Sequence, residues 1–144
     1  MLEMYRARRG EEAGFTLVEL LVVMLILGIL AAIAIPAFFS QRDKGYDSDA
    51  KANVRTVQTA YETYAVDNDG SYNTSAIADL SAIEPTITDF AADMTITGTP
   101  TGYTIVGASD SGNSFTLERT AAGALNYTCA TAGDGGCPST GDWG

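Results

Sequence analysis

The chain has 144 residues, with 8 Lys and Arg against 18 Asp and Glu, no His and 2 Cys, so its formal net charge is −10. This length fits one domain together with an anchor, and the negative charge argues against electrostatic capture of nucleic acid, whose phosphates it repels. With no His and no Lys-bearing phosphate loop, the chain lacks the parts of most hydrolases and kinases. We therefore expect no catalytic residues and no cofactor, and predict that the protein is not an enzyme.

Residues 1–14, MLEMYRARRGEEAG, precede the most apolar part of the chain. Arg6, Arg8 and Arg9 favour a cytoplasmic N-terminus, because positive flanking residues stay inside, although three glutamates weaken the signal. A secretory signal peptide is cut after a short apolar region. Here the apolar run is too long for that, so the expected cleavage point precedes it.

The run itself extends from Gly14 to Phe39 and is almost unbroken. As a helix it would be about 37 Å long at 1.5 Å per residue, which is enough to cross a hydrocarbon core of about 30 Å. Three residues are unusual in a plain anchor: the ionisable Glu19, the flexible Gly28, and Pro36, which cannot donate a helical hydrogen bond. The run predicts a membrane-spanning helix with a second role.

The string G-F-T-L-V-E at residues 14–19, followed by about twenty apolar residues with a proline near their end, resembles the N-terminal signature of type IV pilins and type II secretion pseudopilins. The resemblance implies a leader of residues 1–14 that a membrane prepilin peptidase removes after Gly14, with N-methylation of Phe15. It also implies that residues 15–39 leave the membrane to pack with sister helices in a filament, and that residues 40–144 form a globular head.

In this family the glutamate, here Glu19, neutralises the N-terminal amine of a neighbouring subunit during assembly. Two other interpretations stay open: Glu19 pairs with the amine of its own Phe15 one turn earlier, or its carboxylate reaches the interface unpaired. Gly28 and Pro36 are expected to allow local unwinding when protein replaces lipid around the helix.

After Phe39 the sequence turns polar, but apolar residues continue at helical spacing. This stripe predicts that the helix continues to about Val66 and packs on the rest of the head. Its residues are Tyr46, Ala50, Val54, Val57, Tyr61 and Tyr64.

The helix is expected to end in residues 67–72, where Gly70 can adopt the left-handed conformation that closes a helix. The acids of this turn also raise the possibility of a calcium loop, but Asp67 and Asp69 are out of register with that pattern. We predict no metal site. Residues 73–93 are expected to form a connecting loop in which Ser75 caps a short helix and Pro85 prevents a further helix.

From Met94 onward the sequence has the character of strands. Four alternating segments with turn residues between them predict an antiparallel meander. The expected fold is therefore α+β: a long N-terminal helix, half membrane-spanning and half amphipathic, packed on a small four-stranded sheet. The predicted strands are residues 94–97, 103–106, 114–119 and 125–129.

Cys129 and Cys137 enclose a glycine-rich loop. In an exported domain such a pair is interpreted as a disulfide, with free thiols as the alternative, and pilins often pin a C-terminal loop in this way. Trp143, near the end, either lies on the sheet or contacts a neighbouring subunit.

The sequence therefore predicts a prepilin, the precursor of a structural subunit of an extracellular type IV pilus. The expected partners are copies of the chain itself, prepilin peptidase and the cytoplasmic membrane, which holds the precursor before it reaches the filament. A pseudopilin of a type II secretion or DNA-uptake system and a minor pilin with a binding tip share the N-terminal signature and remain alternatives.

Overall fold

The structure is a computed structural model that describes residues 14–144. Its first element is a single long helix, α1 (Leu17–Asp67). The chain divides after Phe38 into two compact units. We call the described part of the first unit, residues 14–38, the apolar segment, and the second unit, residues 39–144, the head.

Every residue of the apolar segment is exposed. An 18-residue window of its helix reaches a mean hydropathy of 2.9, and none of that window is buried within the chain. Large apolar side chains are left uncovered, such as Leu21 at 59% and Ile33 at 71% exposure. By length and composition this helix can cross a membrane, as a membrane-anchored precursor requires.

In the head, α1 buries one side, as the apolar stripe predicts. Tyr46 and Tyr64, at the two ends of the stripe, are half-buried. The buried side is wider than predicted, because Asp47, Ala60 and Ala65 also lie on it. The buried members of the predicted stripe are Ala50, Val54, Val57 and Tyr61.

The turn after α1 closes the helix as the sequence predicts. Gly70 has a φ of 82° and Asp69 a φ of 55°, and the Gly70 N–H donates to the Ala65 carbonyl at 2.7 Å. This left-handed ending satisfies a carbonyl in the last turn of α1.

A short helix, α2 (Ile77–Ser81), comes next, but the prediction that Ser75 caps it is wrong. The Thr74 hydroxyl accepts the Ala76 N–H at 3.1 Å, whereas the Ser75 hydroxyl accepts the Gly98 N–H at 3.3 Å. Ser75 is therefore drawn towards the first strand of the sheet.

The next segment, Pro85–Asp93, is a 3₁₀ helix and not the loop that the sequence predicted. Proline is well suited to the first position of a helix, because its missing N–H has no partner there. The Glu84 carboxylate also accepts the Thr86 N–H at 3.3 Å and its hydroxyl at 2.8 Å. The segment buries Ile87 completely, which explains its order.

The predicted meander is confirmed: the sheet has the order β1-β2-β3-β4 and every neighbouring pair is antiparallel. Its inner side faces the buried side of α1, and Ile96, Ile105, Phe115 and Leu117 contribute to the shared core. The strands are β1 (Met94–Gly98), β2 (Tyr103–Ala108), β3 (Ser114–Arg119) and β4 (Leu125–Cys129).

Helix and sheet approach closely at Gly107 of β2. A Cβ built there would lie 2.6 Å from Cγ2 of Val54 and 2.9 Å from Cε of Met94. Real Cβ atoms do not approach other atoms this closely, so only glycine fits between the helix and the sheet at this point.

Candidate functional site

The site residues predicted from the signature lie along the apolar segment. Gly14 and Phe15 precede the first turn of α1, and Phe15 is 88% exposed. Glu19 lies in the first turn, and Gly28 and Pro36 lie within the helix. The predicted leader, apart from Gly14, falls outside the described residues.

Gly28 is not required by any close contact that the structure describes. A Cβ built at this position meets nothing within 4 Å. Glycine inside a helix is less favourable than alanine by roughly 0.5–1 kcal/mol, because it has more freedom to lose on folding. Its presence therefore has no explanation within the described part of the chain.

Glu19 contacts Thr16 at the start of α1. Its Oε2 accepts the Thr16 N–H and the Thr16 hydroxyl, both at 2.8 Å, and the Thr16 Oγ1 in turn accepts the Glu19 N–H at 3.2 Å. These reciprocal bonds form a capping box. The capping role was not among the sequence-based expectations, although the T-x-x-E spacing that signals it is part of the signature.

In the head, the side chain of Asp47 is completely buried on α1. Its Oδ1 accepts the hydroxyls of Ser109, at 2.6 Å, and Ser111, and its Oδ2 accepts the Gly136 N–H at 2.6 Å. One carboxylate thus fastens both the β2–β3 turn and the cysteine loop to the helix. We call these four residues the Asp47 latch.

The latch keeps Asp47 ionised. Desolvation acts to raise the pKa of the carboxyl, but the hydrogen bonds from the two serines and Gly136, with the charge of Lys51, outweigh it and hold the pKa below its ordinary value. The Lys51 ammonium itself donates to the Gly136 carbonyl at 2.6 Å.

Cys129 and Cys137 are joined by a disulfide, with their Cα atoms 6.0 Å apart. Among the described residues this is the predicted pair that the structure brings together. The loop between them lies against Asp47, and a Cβ at Gly136 would lie 2.8 Å from the Asp47 Cβ. The loop is therefore held by a covalent bond, by the latch and by Lys51.

Trp143 lies on the sheet, which decides between the two positions that the sequence left open. Its indole N–H donates to the Thr128 carbonyl at 2.9 Å and the Thr116 carbonyl at 3.2 Å. The ring packs edge-to-face on Tyr127, with centroids 5.0 Å apart, and the Arg55 guanidinium lies 5.3 Å from the indole centroid. The indole is buried and fully hydrogen-bonded.

Comparison with known proteins assigns the N-terminal region. Residues 9–35 match the family described as the prokaryotic N-terminal methylation motif. This match includes the Gly14–Phe15 junction and Glu19. The chain belongs to the prepilin superfamily of type IV pilins and type II secretion pseudopilins. This superfamily is structural, which supports the prediction that the chain is not an enzyme.

Relatives of this prepilin have different roles. It is 39% identical over 61 residues to the type II secretion system core protein G of Pseudomonas aeruginosa, covering 42% of this chain and 43% of that protein. It is 45% identical over 56 residues to the type IV major pilin protein PilA of Myxococcus xanthus, covering 39% and 26%. It is also 36% identical over 58 residues to the competence protein ComGC of Halalkalibacterium halodurans, covering 40% and 57%.

The matched part of the prepilin thus spans less than two thirds of each of these relatives. No solved structure gives a significant match. The family follows from the N-terminal region, and the head supplies the features particular to this chain.

One such feature is a buried cluster around Glu62. The hydroxyls of Tyr72 and Tyr103 each donate to its carboxylate at 2.8 Å, and Arg119 lies 3.6 Å away. Burial, the hydrogen bond to Glu62 and its negative charge together raise the pKa of Tyr103, and burial with the charge of Tyr64 raises the pKa of Tyr61 to about 12. These phenols stay neutral at physiological pH and bind the end of α1 to the sheet.

Proposed function

We propose that this chain is the precursor of a structural subunit of an extracellular type IV pilus. The observation that carries the proposal is the apolar segment, whose side chains are all exposed in the isolated chain. Covering one large apolar side chain is worth about 1.5–3 kcal/mol. A segment of this kind must therefore be covered, by lipid in the precursor and by sister helices in the filament.

The cleavage proposal places the cut between Gly14 and Phe15, giving a leader of residues 1–14. Support comes from the position of this junction before α1, which begins at Leu17, and from its exposure. An extended, accessible junction suits a prepilin peptidase at the membrane. The new amine of Phe15 is the group that would be N-methylated.

Assembly is proposed to use the remaining signature residues of the segment 15–39, leaving residues 40–144 as the head. Glu19 would exchange its bonds to Thr16 for the amine of a neighbouring subunit. Gly28, which no close contact in the described structure requires, and Pro36 are weak points at which the helix can adjust when protein replaces lipid.

Electron microscopy of sheared surface filaments, with mass spectrometry of their main protein band, tests the proposal. The expected result is filaments whose main band is this chain. Filaments that persist unchanged in a deletion strain, with this chain absent from their main band, would reject the assignment as the major subunit.

A pseudopilin of a type II secretion system is a second candidate, favoured by the 39% identity to core protein G. The two functions differ in what a deletion removes. Loss of surface filaments with normal release of secreted enzymes supports the pilus subunit. Loss of enzyme release with filaments intact supports the pseudopilin.

A further inference from the structure

The cationic side chains of the head are few, and nearly all are occupied within the chain. Residues 14–144 contain five Lys and Arg against fifteen Asp and Glu. Arg42 lies over Phe39 and Tyr46, and Arg55 lies over Tyr127 and Trp143. Lys51 donates to Gly136, and Arg119 lies beside Glu62 and over Tyr72.

Lys44 is the exception. It is exposed on α1, and among residues 14–144 it is the one cation whose side chain has no hydrogen bond, ion pair or ring contact. Neighbouring Asp43 and Ser48 do not bind it, since Ser48 donates instead to the Lys44 carbonyl. The ammonium is free to meet another molecule.

The carboxylates show the opposite pattern. Eight aspartates in the same part of the chain have no side-chain hydrogen bond or ion pair, so each copy presents a surplus of free negative charge. They are Asp43, Asp49, Asp67, Asp69, Asp89, Asp93, Asp110 and Asp134.

This imbalance matters once copies assemble. Identical heads with a net charge of −10 repel one another at short range. A helical filament is built from heterologous contacts, in which one surface of a subunit meets a different surface of the next. A free cation on one copy can therefore face free carboxylates on another, which a self-complementary contact would not require.

We propose that Lys44 is the cation through which each head binds the acidic head of a neighbouring copy. The proposal rests on the proposed filament function. The other four cations are unsuited, because using them would break contacts that hold the head together. The pairing offsets the repulsion between heads, so the filament depends on both Lys44 and the ionic strength.

The test uses strains in which the variant is the only copy of the full chain. We expect Lys44→Arg to give wild-type amounts of sheared filaments, Lys44→Gln fewer, and Lys44→Glu at least about tenfold fewer, because it turns attraction into repulsion. The matched control is Asn73→Asp with Thr101→Asp, two exposed sites at which the net charge falls by the same two units. It should retain most filaments.

Purified filaments of wild type and Lys44→Gln provide the second measurement. At about 0.01 M salt, where charges act over about 30 Å, the variant filaments should release more subunits than wild type, and at about 1 M, where the range is about 3 Å, the two should be equally stable. A difference that persists unchanged at 1 M salt would mean that Lys44 acts other than through its charge and would overturn the proposal.

The outcomes separate the two levels of inference. Abundant filaments from Lys44→Glu, or equal loss in the charge-matched control, would reject the pairing while leaving the filament function standing. An absence of filaments of this chain in the wild-type strain would reject the function itself. If Lys44→Glu does not accumulate, the salt response of Lys44→Gln decides the matter.

Discussion

Glu19 illustrates how one side chain can serve two roles in sequence. In the described chain its carboxylate closes a capping box with Thr16, with two bonds of 2.8 Å. Such a cap satisfies backbone N–H groups that the helix leaves unpaired. After cleavage at Gly14, a free amine would lie close to this carboxylate, and the assembly role requires that Glu19 bind the amine of a neighbour instead.

We expect Glu19→Ala to insert in the membrane, to be cleaved and to fold its head, but to yield fewer than about a tenth of wild-type filaments, because a charge pair in a low-dielectric contact is lost. Counting filaments by electron microscopy in strains with no other copy measures this. Thr16→Val removes the capping hydroxyl and keeps the carboxylate, and Leu20→Ala shortens the next side chain. Both should assemble, and if Thr16→Val were as defective as Glu19→Ala, capping alone would account for the effect.

Asp47 stabilises the head through the latch. Asp47→Asn keeps the size of the side chain but places an NH₂ group where one oxygen accepts a donor. The expected cost is about 2–3 kcal/mol of unfolding free energy, since bonds to a charged acceptor are lost in a buried site. Urea unfolding of the detergent-solubilised chain, followed by fluorescence of the single tryptophan, measures it. Asp49→Asn, on an exposed side chain, is the control and should be nearly neutral.

The latch also predicts a pH dependence. The folded state lowers the pKa of Asp47 from its ordinary value of 3.8. Its contribution is therefore complete above pH 3.8 and is lost as the pH falls through the lower folded-state pKa. The stability difference between wild type and Asp47→Asn should shrink below about pH 4. A difference that stays constant through this range would show that the charge of Asp47 plays no part.

At the scale of elements, the contact of α1 with β2 at Gly107 sets the distance between helix and sheet. Gly107→Ala should cost about 1–3 kcal/mol, because its Cβ meets Val54 and Met94 at 2.6 and 2.9 Å and the packed core must shift. Gly45→Ala on the exposed side of α1 meets nothing within 4 Å. This control should be stabilising by roughly 0.5–1 kcal/mol. Thermal unfolding of the two variants compares them directly, and equal stability would contradict the close approach.

The elements that the sequence predicted are those whose signals are local. The strands from Met94 to Cys129 are marked by alternation and by turn residues between them, and the end of α1 is marked by Gly70. Pro85 misled because the same residue that interrupts a helix also starts one. The 3₁₀ helix that begins there depends on Glu84 and on the burial of Ile87.

The features of the site that the sequence did not predict depend on distant partners. Asp47 has the spacing of the buried stripe, three residues before Ala50, but its donors are 62 to 89 positions away. Its acidic character pointed to the surface. The position of Trp143 likewise depends on carbonyls of two strands. The signature residues, by contrast, form a contiguous string that is recognisable without any tertiary contact.

At the scale of the whole molecule, the two units have opposite surfaces. The apolar segment exposes side chains that water disfavours, and the head carries most of the charge and is closed by a disulfide and the latch. This division suits a subunit that is held in a membrane first and in a filament afterwards. Both stages depend on removal of the leader at Gly14, because the amine that Glu19 is proposed to bind does not exist until then.

Intact-mass spectrometry of the subunit from purified filaments tests this central claim most directly. The predicted mass is that of residues 15–144 with one added methyl group and with the two cysteine hydrogens absent. Digestion should place the methyl group on the amine of Phe15. A filament subunit that retains Arg6 to Gly14 would contradict cleavage at this junction, and with it the proposal that Phe15 and Glu19 join neighbouring copies.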